Sequence, residues 1–142
     1  MLKVNHHDLP PIAALQVSAS DSDHDILNDI FASLNWKLDR VCSIHGAISR
    51  MLSCVPPVVV ICEQSLGDGD WKTLLNEIQR LPRPPQLIVS TARIQEALLA
   101  EVLNLGGYEV LHLPFEVREV AGLVSSAWAE WHTRRVQSRG EA

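Results

Sequence analysis

Few residues in this chain have the type and spacing to do chemistry, and most of those are carboxylates. Glu63 follows Val58, Val59, Val60, Ile61 and Cys62. A continuous apolar run without alternation reads as a strand covered on both faces. A carboxylate at the carboxyl end of such a strand stands where α/β proteins place their chemistry. Asp68-Gly69-Asp70 offers two calcium-type ligands but lacks the remaining spacing and the closing glutamate of a calcium loop. It reads as a turn whose Asp70 caps the next helix. Asp21, Asp23 and Asp25 follow Ser20 and read as capping residues, with Asp21 the best placed of them to stand in for an acidic ligand. His6, His7, His24, His45, His112 and His132 form no zinc pattern with Cys42, Cys54 and Cys62. A Cys62–His45 nucleophile across two strand ends competes with the plainer reading of Cys62 as core. Gly67 and Gly69 are too few for a phosphate loop and have no lysine after them.

Composition narrows the function further. The chain has 142 residues, 46% hydrophobic and 20% charged, which suits one domain with a sizeable core. A formal net charge of −5 argues against a large phosphate-binding surface, so no nucleic-acid partner is expected. No apolar run of about 18 residues is present, and the opening MLKVNHHDLPP has no apolar signal region, so no membrane role is expected. Three cysteines, an odd number, read as buried small hydrophobes of a reducing, cytoplasmic compartment.

The elements that must position Glu63 follow from periodicity and punctuation. Residues 1–11 read as a loose lead-in, 12–134 as the domain and 135–142 as a tail in which Arg135 and Arg139, with Arg134 before them, are solvated. Ile12–Ser18, Trp36–Cys42, Val58–Cys62, Leu87–Ser90 and Tyr108–Leu111 read as five strands. Between them Ile26, Leu27, Ile30, Phe31 and Leu34 share one helix face, and Ile44–Ser53 carries helical spacing that Pro56-Pro57 stops. Trp71, Leu74, Leu75, Ile78 and Leu81 mark a third helix, and Ile94–Leu105 a fourth that ends at Gly106-Gly107. A last helix starts near Phe115 or Glu116 and reaches about Arg134. Strict alternation with short connections implies a parallel sheet between two helical layers. Functional residues then belong at the carboxyl ends of the strands.

From about Ala13 to Trp131 the chain resembles the receiver domain of bacterial two-component response regulators. Three local signatures carry the resemblance: Ser90-Thr91-Ala92-Arg93 after the fourth strand, Leu113-Pro114-Phe115 after the fifth, and the small pair Gly106-Gly107 before it. The 23 residues from Thr91 to Pro114 also fit. The resemblance implies a flavodoxin-like (βα)5 sandwich with strand order 2-1-3-4-5. It places Glu63 where receivers carry the phosphorylated aspartate. Ser18, Ala19 and Ser20 fall where they carry the acidic pair that holds Mg²⁺. Thr91 and Val110 fall on the two switch positions, Leu113 on the phosphoryl-binding lysine and Pro114 on a cis-proline.

These departures point one way. Phosphoryl transfer is catalysed by positioning and by charge neutralisation, and Leu113 supplies no cation. The expected function is therefore an atypical receiver in signal transduction, not an enzyme, without cofactor, acting as a protein-interaction or dimerisation module. Glu63 is then either a solvated strand-end carboxylate with no signalling role or a fixed charge that accepts hydrogen bonds from Thr91, Ser18 or Ser20. The alternative is a switchable phospho-acceptor that uses Mg²⁺. Expected partners are a signalling protein or histidine kinase, or a second copy through the last two helices. Trp128 and Trp131, near the end of the long last helix, are the candidate contact residues.

Overall fold

A computed structural model describes residues 11–53 and 55–141, with side chains as far as 134. Five strands form one parallel sheet: β1 Ala13–Val17, β2 Lys37–Val41, β3 Val59–Glu63, β4 Gln86–Thr91 and β5 Glu109–His112. Their order is β2-β1-β3-β4-β5, the flavodoxin-like arrangement that the resemblance implies, and all pairings are parallel as the alternation requires. The third strand includes Glu63, one residue further than its apolar run suggests, because the ladder to β4 continues through Glu63 and Ser90.

Side-chain alternation divides the core into two halves. Leu15, Val17, Val60, Cys62, Leu87 and Val89 face α2 (Ile44–Ser53), α3 (Trp71–Ile78) and α4 (Glu96–Leu105). Ala14, Val59, Ile61, Ile88 and Leu111 face α1 (Asp21–Ser33) and α5 (Val117–Glu141). Trp71 is the largest side chain buried in the first half, and Phe31 in the second, where its ring meets Trp36 edge-on at 5.5 Å. Cys62 lies in the core, but Cys42, just past the end of edge strand β2, is exposed. Cys54 and nearly all of the expected lead-in lie outside the described residues.

The helix ends follow local chemistry. Ser20 caps α1 by accepting from Asp23 N at 3.2 Å, and Asp70 caps α3 by accepting from Lys72 and Thr73 N. Gly106 ends α4 with φ 102°, a left-handed conformation that suits glycine, while a Cβ on Gly107 would stand 2.6 Å from Val102 Cγ1. The start of α2 is held differently. Ser43 Oγ accepts from Gly46 N, while the carboxylate of Asp68, 24 and 23 residues away, accepts from Ile44 N at 3.0 Å and His45 N at 2.9 Å. Asp68 sits in the tip of a two-stranded antiparallel hairpin, Ser65–Leu66 with Gly69–Asp70. One short hairpin thus caps two helices.

At the other end of the sheet α5 is fastened by polar contacts. Buried Gln86 donates to Ala127 O at 3.3 Å and accepts from Arg134 at 2.8 Å. Arg134 is therefore tied to the sheet, although its position near the chain end reads as solvated. Trp131 Nε1 donates to Pro84 O, and the Arg83 guanidinium lies 4.1 Å over the Trp131 ring. Trp128 packs against the second half of the core and stacks on His132 at 3.9 Å between ring centres. Among the described residues no helix is long and apolar enough to cross a membrane.

The two backbone hydrogen bonds hold the Asp68 carboxyl below the ordinary carboxylate range. A depressed folded-state pKa gives stability that is present above the unfolded pKa and is lost as pH falls through the folded one. Asp68→Asn is expected to lower the urea midpoint at neutral pH and to flatten its decline below about pH 4. Parallel urea titrations of both proteins across that range measure this, and identical acid-side slopes would exclude the cap.

Candidate functional site at the strand ends

The sheet register decides which side chains meet. Val17 pairs with Cys62, so Ser18 and Glu63 stand side by side one step further on. The Ser18 side chain is fully buried, and its Oγ donates a short hydrogen bond to Glu63 Oε1. The same Oγ accepts from Ser20 N at 3.1 Å. A carboxylate only partly open to solvent thus receives a hydroxyl donor from the neighbouring strand.

Of the three donors expected for Glu63, Ser18 is the one the structure brings to it. Ser20 Oγ is used in capping α1. Glu63 pairs with Ser90, so Thr91 is one residue out of step with it and on the other face of β4. Thr91 Oγ1 instead stands 3.0 Å from Gln64 Oε1, and the adjacent Gln64 N donates to Ser90 O. Thr91 Oγ1 also accepts from Arg93 N at 3.2 Å. Gln64 went unnoticed in the sequence, where it is one more polar residue in a turn. The strand pairing would have shown its place beside Thr91.

The remaining positions surround this pair. Ala19 is exposed. Leu113 is half-buried against the second core half, and its N donates to Thr91 O at 2.9 Å. The Leu113–Pro114 peptide bond is cis. Val110 is buried in the first core half. Asp21 is 91% exposed at its side chain and pairs with Arg40 at 2.8 Å. Arg40 also donates from Nε to Ser18 O at 3.1 Å. Sequence reasoning passed over Arg40, which looks like an ordinary polar position in an alternating strand.

Cys62 sits directly under this site with no exposure. Burial, and after it the charges of Glu63 and Asp70, push its thiol far above the usual range. Its Sγ lies 3.2 Å from Glu63 O as a weak donor. With no exposure and a place in the first core half, Cys62 fits the plainer reading of a core side chain. Among the described residues no group of three or more His, Cys, Asp or Glu side chains could hold a metal ion.

No protein-family model matches the chain, and no curated protein is significantly similar to it. Solved structures are similar. A response regulator of Chloroflexus aurantiacus is 21% identical over 84% of this chain and 99% of its own, with a TM-score of 0.78. The beryllofluoride-activated NtrC4 receiver domain dimer is 21% identical over 84% of this chain and 98% of its own, at 0.76. A chain of the CheX–CheY complex with BeF3 and Mg²⁺ from Borrelia burgdorferi is 20% identical over 88% of this chain and 95% of its own, at 0.75. The fold of this chain is that of a receiver domain.

Proposed function

We propose that this chain is a receiver-type signalling module that works through protein contact and is not phosphorylated by the aspartate–magnesium mechanism. The Ser18–Glu63 hydrogen bond carries this reading. It occupies, within the protein, the strand-end group that would otherwise be the acceptor. The surroundings also fit Mg²⁺ poorly. That ion favours a near-octahedral shell of oxygens with one or two carboxylates. Here Glu63 is taken by Ser18, while Asp21 and the Ser18 carbonyl are taken by Arg40. Leu113 brings an apolar side chain where a cation would be needed to balance a phosphoryl group.

A second reading is favoured by the likeness to receivers described with beryllofluoride, one of them with Mg²⁺. In it Glu63 is a phospho-acceptor within a phosphorelay and the partner is a histidine kinase. In both readings the chain is a binding module without turnover of its own.

We place the partner-facing surface on α4, β5 and α5. Leu103 and Leu105 on α4 are 49% and 46% exposed, and Val117 on α5 is 44% exposed. Between β5 and α5 runs a groove of about 530 Å³ lined by Tyr108, Glu109, Leu123, Ser126 and Glu130. Trp128 and Trp131, further along α5, are partly open too but beside other neighbours: Trp128 by Ala13, Asp39 and Arg50, Trp131 by Arg83 and Pro84. Exposed apolar side chains beside polar ones suit a second copy or a signalling protein of similar surface. A similar receiver is described as a dimer.

Three measurements test these statements. Incubation with Mg²⁺ and acetyl phosphate should leave the intact mass unchanged, with an aspartate-bearing receiver treated in parallel as control; a gain of one phosphoryl group selects the second reading. Ser18→Ala should lower stability by about 1–2 kcal/mol in urea, because it leaves a half-buried carboxylate without its donor; an unchanged midpoint would show that the hydrogen bond holds nothing. Leu103→Lys should weaken self-association in sedimentation velocity by about tenfold, the effect of a charge set into an apolar contact; equal sedimentation of both proteins over a range of concentrations would move the contact elsewhere.

A further inference from the structure

We propose that Arg40 is the internal cation of the strand-end site: its guanidinium takes the oxygens a divalent ion would use and so keeps such ions out. Arg40 belongs to edge strand β2, where it pairs with Gln16 of β1. Its side chain is only 17% exposed, low for an arginine on an edge. The reason lies in its contacts. Nε donates to Ser18 O at 3.1 Å, and a terminal nitrogen meets Asp21 Oδ1 at 2.8 Å. One planar group thus bridges a main-chain carbonyl and a carboxylate on either side of the β1–α1 turn. Ser18 N donates to Val41 O at 3.0 Å and fixes the same turn to β2.

Those two oxygens are of the hard type that Mg²⁺ and Ca²⁺ select. The next oxygens in reach along the chain of contacts, Ser18 Oγ and Glu63 Oε1, are already bonded to each other. Arginine presents its donors in a rigid fork, so one guanidinium holds both groups at once. A dication approaching them must displace hydrogen bonds and face a fixed positive charge at short range. That repulsion is worth more than about tenfold in affinity. Arg40 also steadies Ser18, and through Ser18 it orients Glu63; in that respect it is a positioning residue.

The proposal rests on the reading of these strand ends as the functional face, and the two fail separately. Mn²⁺ titration of ¹⁵N-labelled protein provides the test, read as paramagnetic broadening of the amides of Ser18 to Asp21 and of Glu63. Wild-type protein and Arg40→Lys, which retains the cation, should show no broadening confined to these amides. Arg40→Met should show it, with Mn²⁺ bound at least about tenfold more tightly than by the wild type. Arg40→Gln keeps a donor for the Ser18 carbonyl and serves as the second uncharged variant, with the same result expected. Localised broadening in the wild type would overturn the role of Arg40. So would its absence from an uncharged variant with native amide dispersion. A phosphoryl adduct on wild-type protein overturns the function proposed above and is read by mass instead.

Discussion

A carboxylate that ends a strand covered on both faces must find a donor, and the organisation of this molecule's upper edge follows from that constraint. Strand β3 lies between β1 and β4, and Val59 to Cys62 are fully buried. Glu63 is the first charge after them. Part of its carboxylate is shut off from water, so a neighbour's donor replaces what water no longer supplies. Parallel pairing with β1 delivers the hydroxyl of Ser18. Satisfying Glu63 then sets further demands, because Ser18 itself must be held. Arg40 on β2 fixes its carbonyl, and Val41 O accepts its amide. On the other side Gln64 bonds the end of β4, and Leu113 N reaches Thr91 O. Every strand end is thereby linked to the next across the whole sheet.

The same region anchors the helices. The hairpin after β3 sends Asp68 to the start of α2 and Asp70 to the start of α3. Both helices pack on the first half of the core, beside Trp71. A rearrangement at the end of β3 would therefore disturb two helix caps together with the strand linkages. Few residues separate the polar network from the apolar core, and Cys62 belongs to one while contacting the other. Hydrogen bonds thus run from strand end to strand end and on to the starts of two helices.

What could be read from the sequence divides along a physical line. Strands and helices were legible because apolar periodicity, prolines and caps act within a few residues: Pro56-Pro57, Asp70 and Gly106 each act where they stand. The position of Glu63 was legible for the same reason, as the first charge after an apolar run. Its partner was legible only as one of three, because choosing Ser18 over Thr91 needs the register between strands. Arg40 and Asp68 were not legible in these roles. Arg40 reaches across 22 residues and Asp68 across 24, and nothing local distinguishes them from solvated charges. Cys42 shows the converse error: a cysteine among apolar residues reads as core, but edge position leaves it open.

On the proposed reading, signalling must arise without a new charge. A phosphoryl group would add roughly −1.5 to −2 and several acceptors, enough to recruit donors from more than one strand. Glu63 holds a single charge already matched to one hydroxyl, and Thr91 is matched to Gln64. The two groups do not compete for a shared ligand, so no covalent event at the strand ends biases one arrangement over another. A ligand shifts a conformational equilibrium only by its differential affinity for the two states. The remaining source of such bias is a partner on the surface of α4, β5 and α5, where Leu103 and Leu105 are open. Regulation then passes from the phosphorylation state of the chain to the concentration of what binds it. The strand-end hydrogen bonds then weigh on that equilibrium, because an arrangement that breaks them is disfavoured whatever binds.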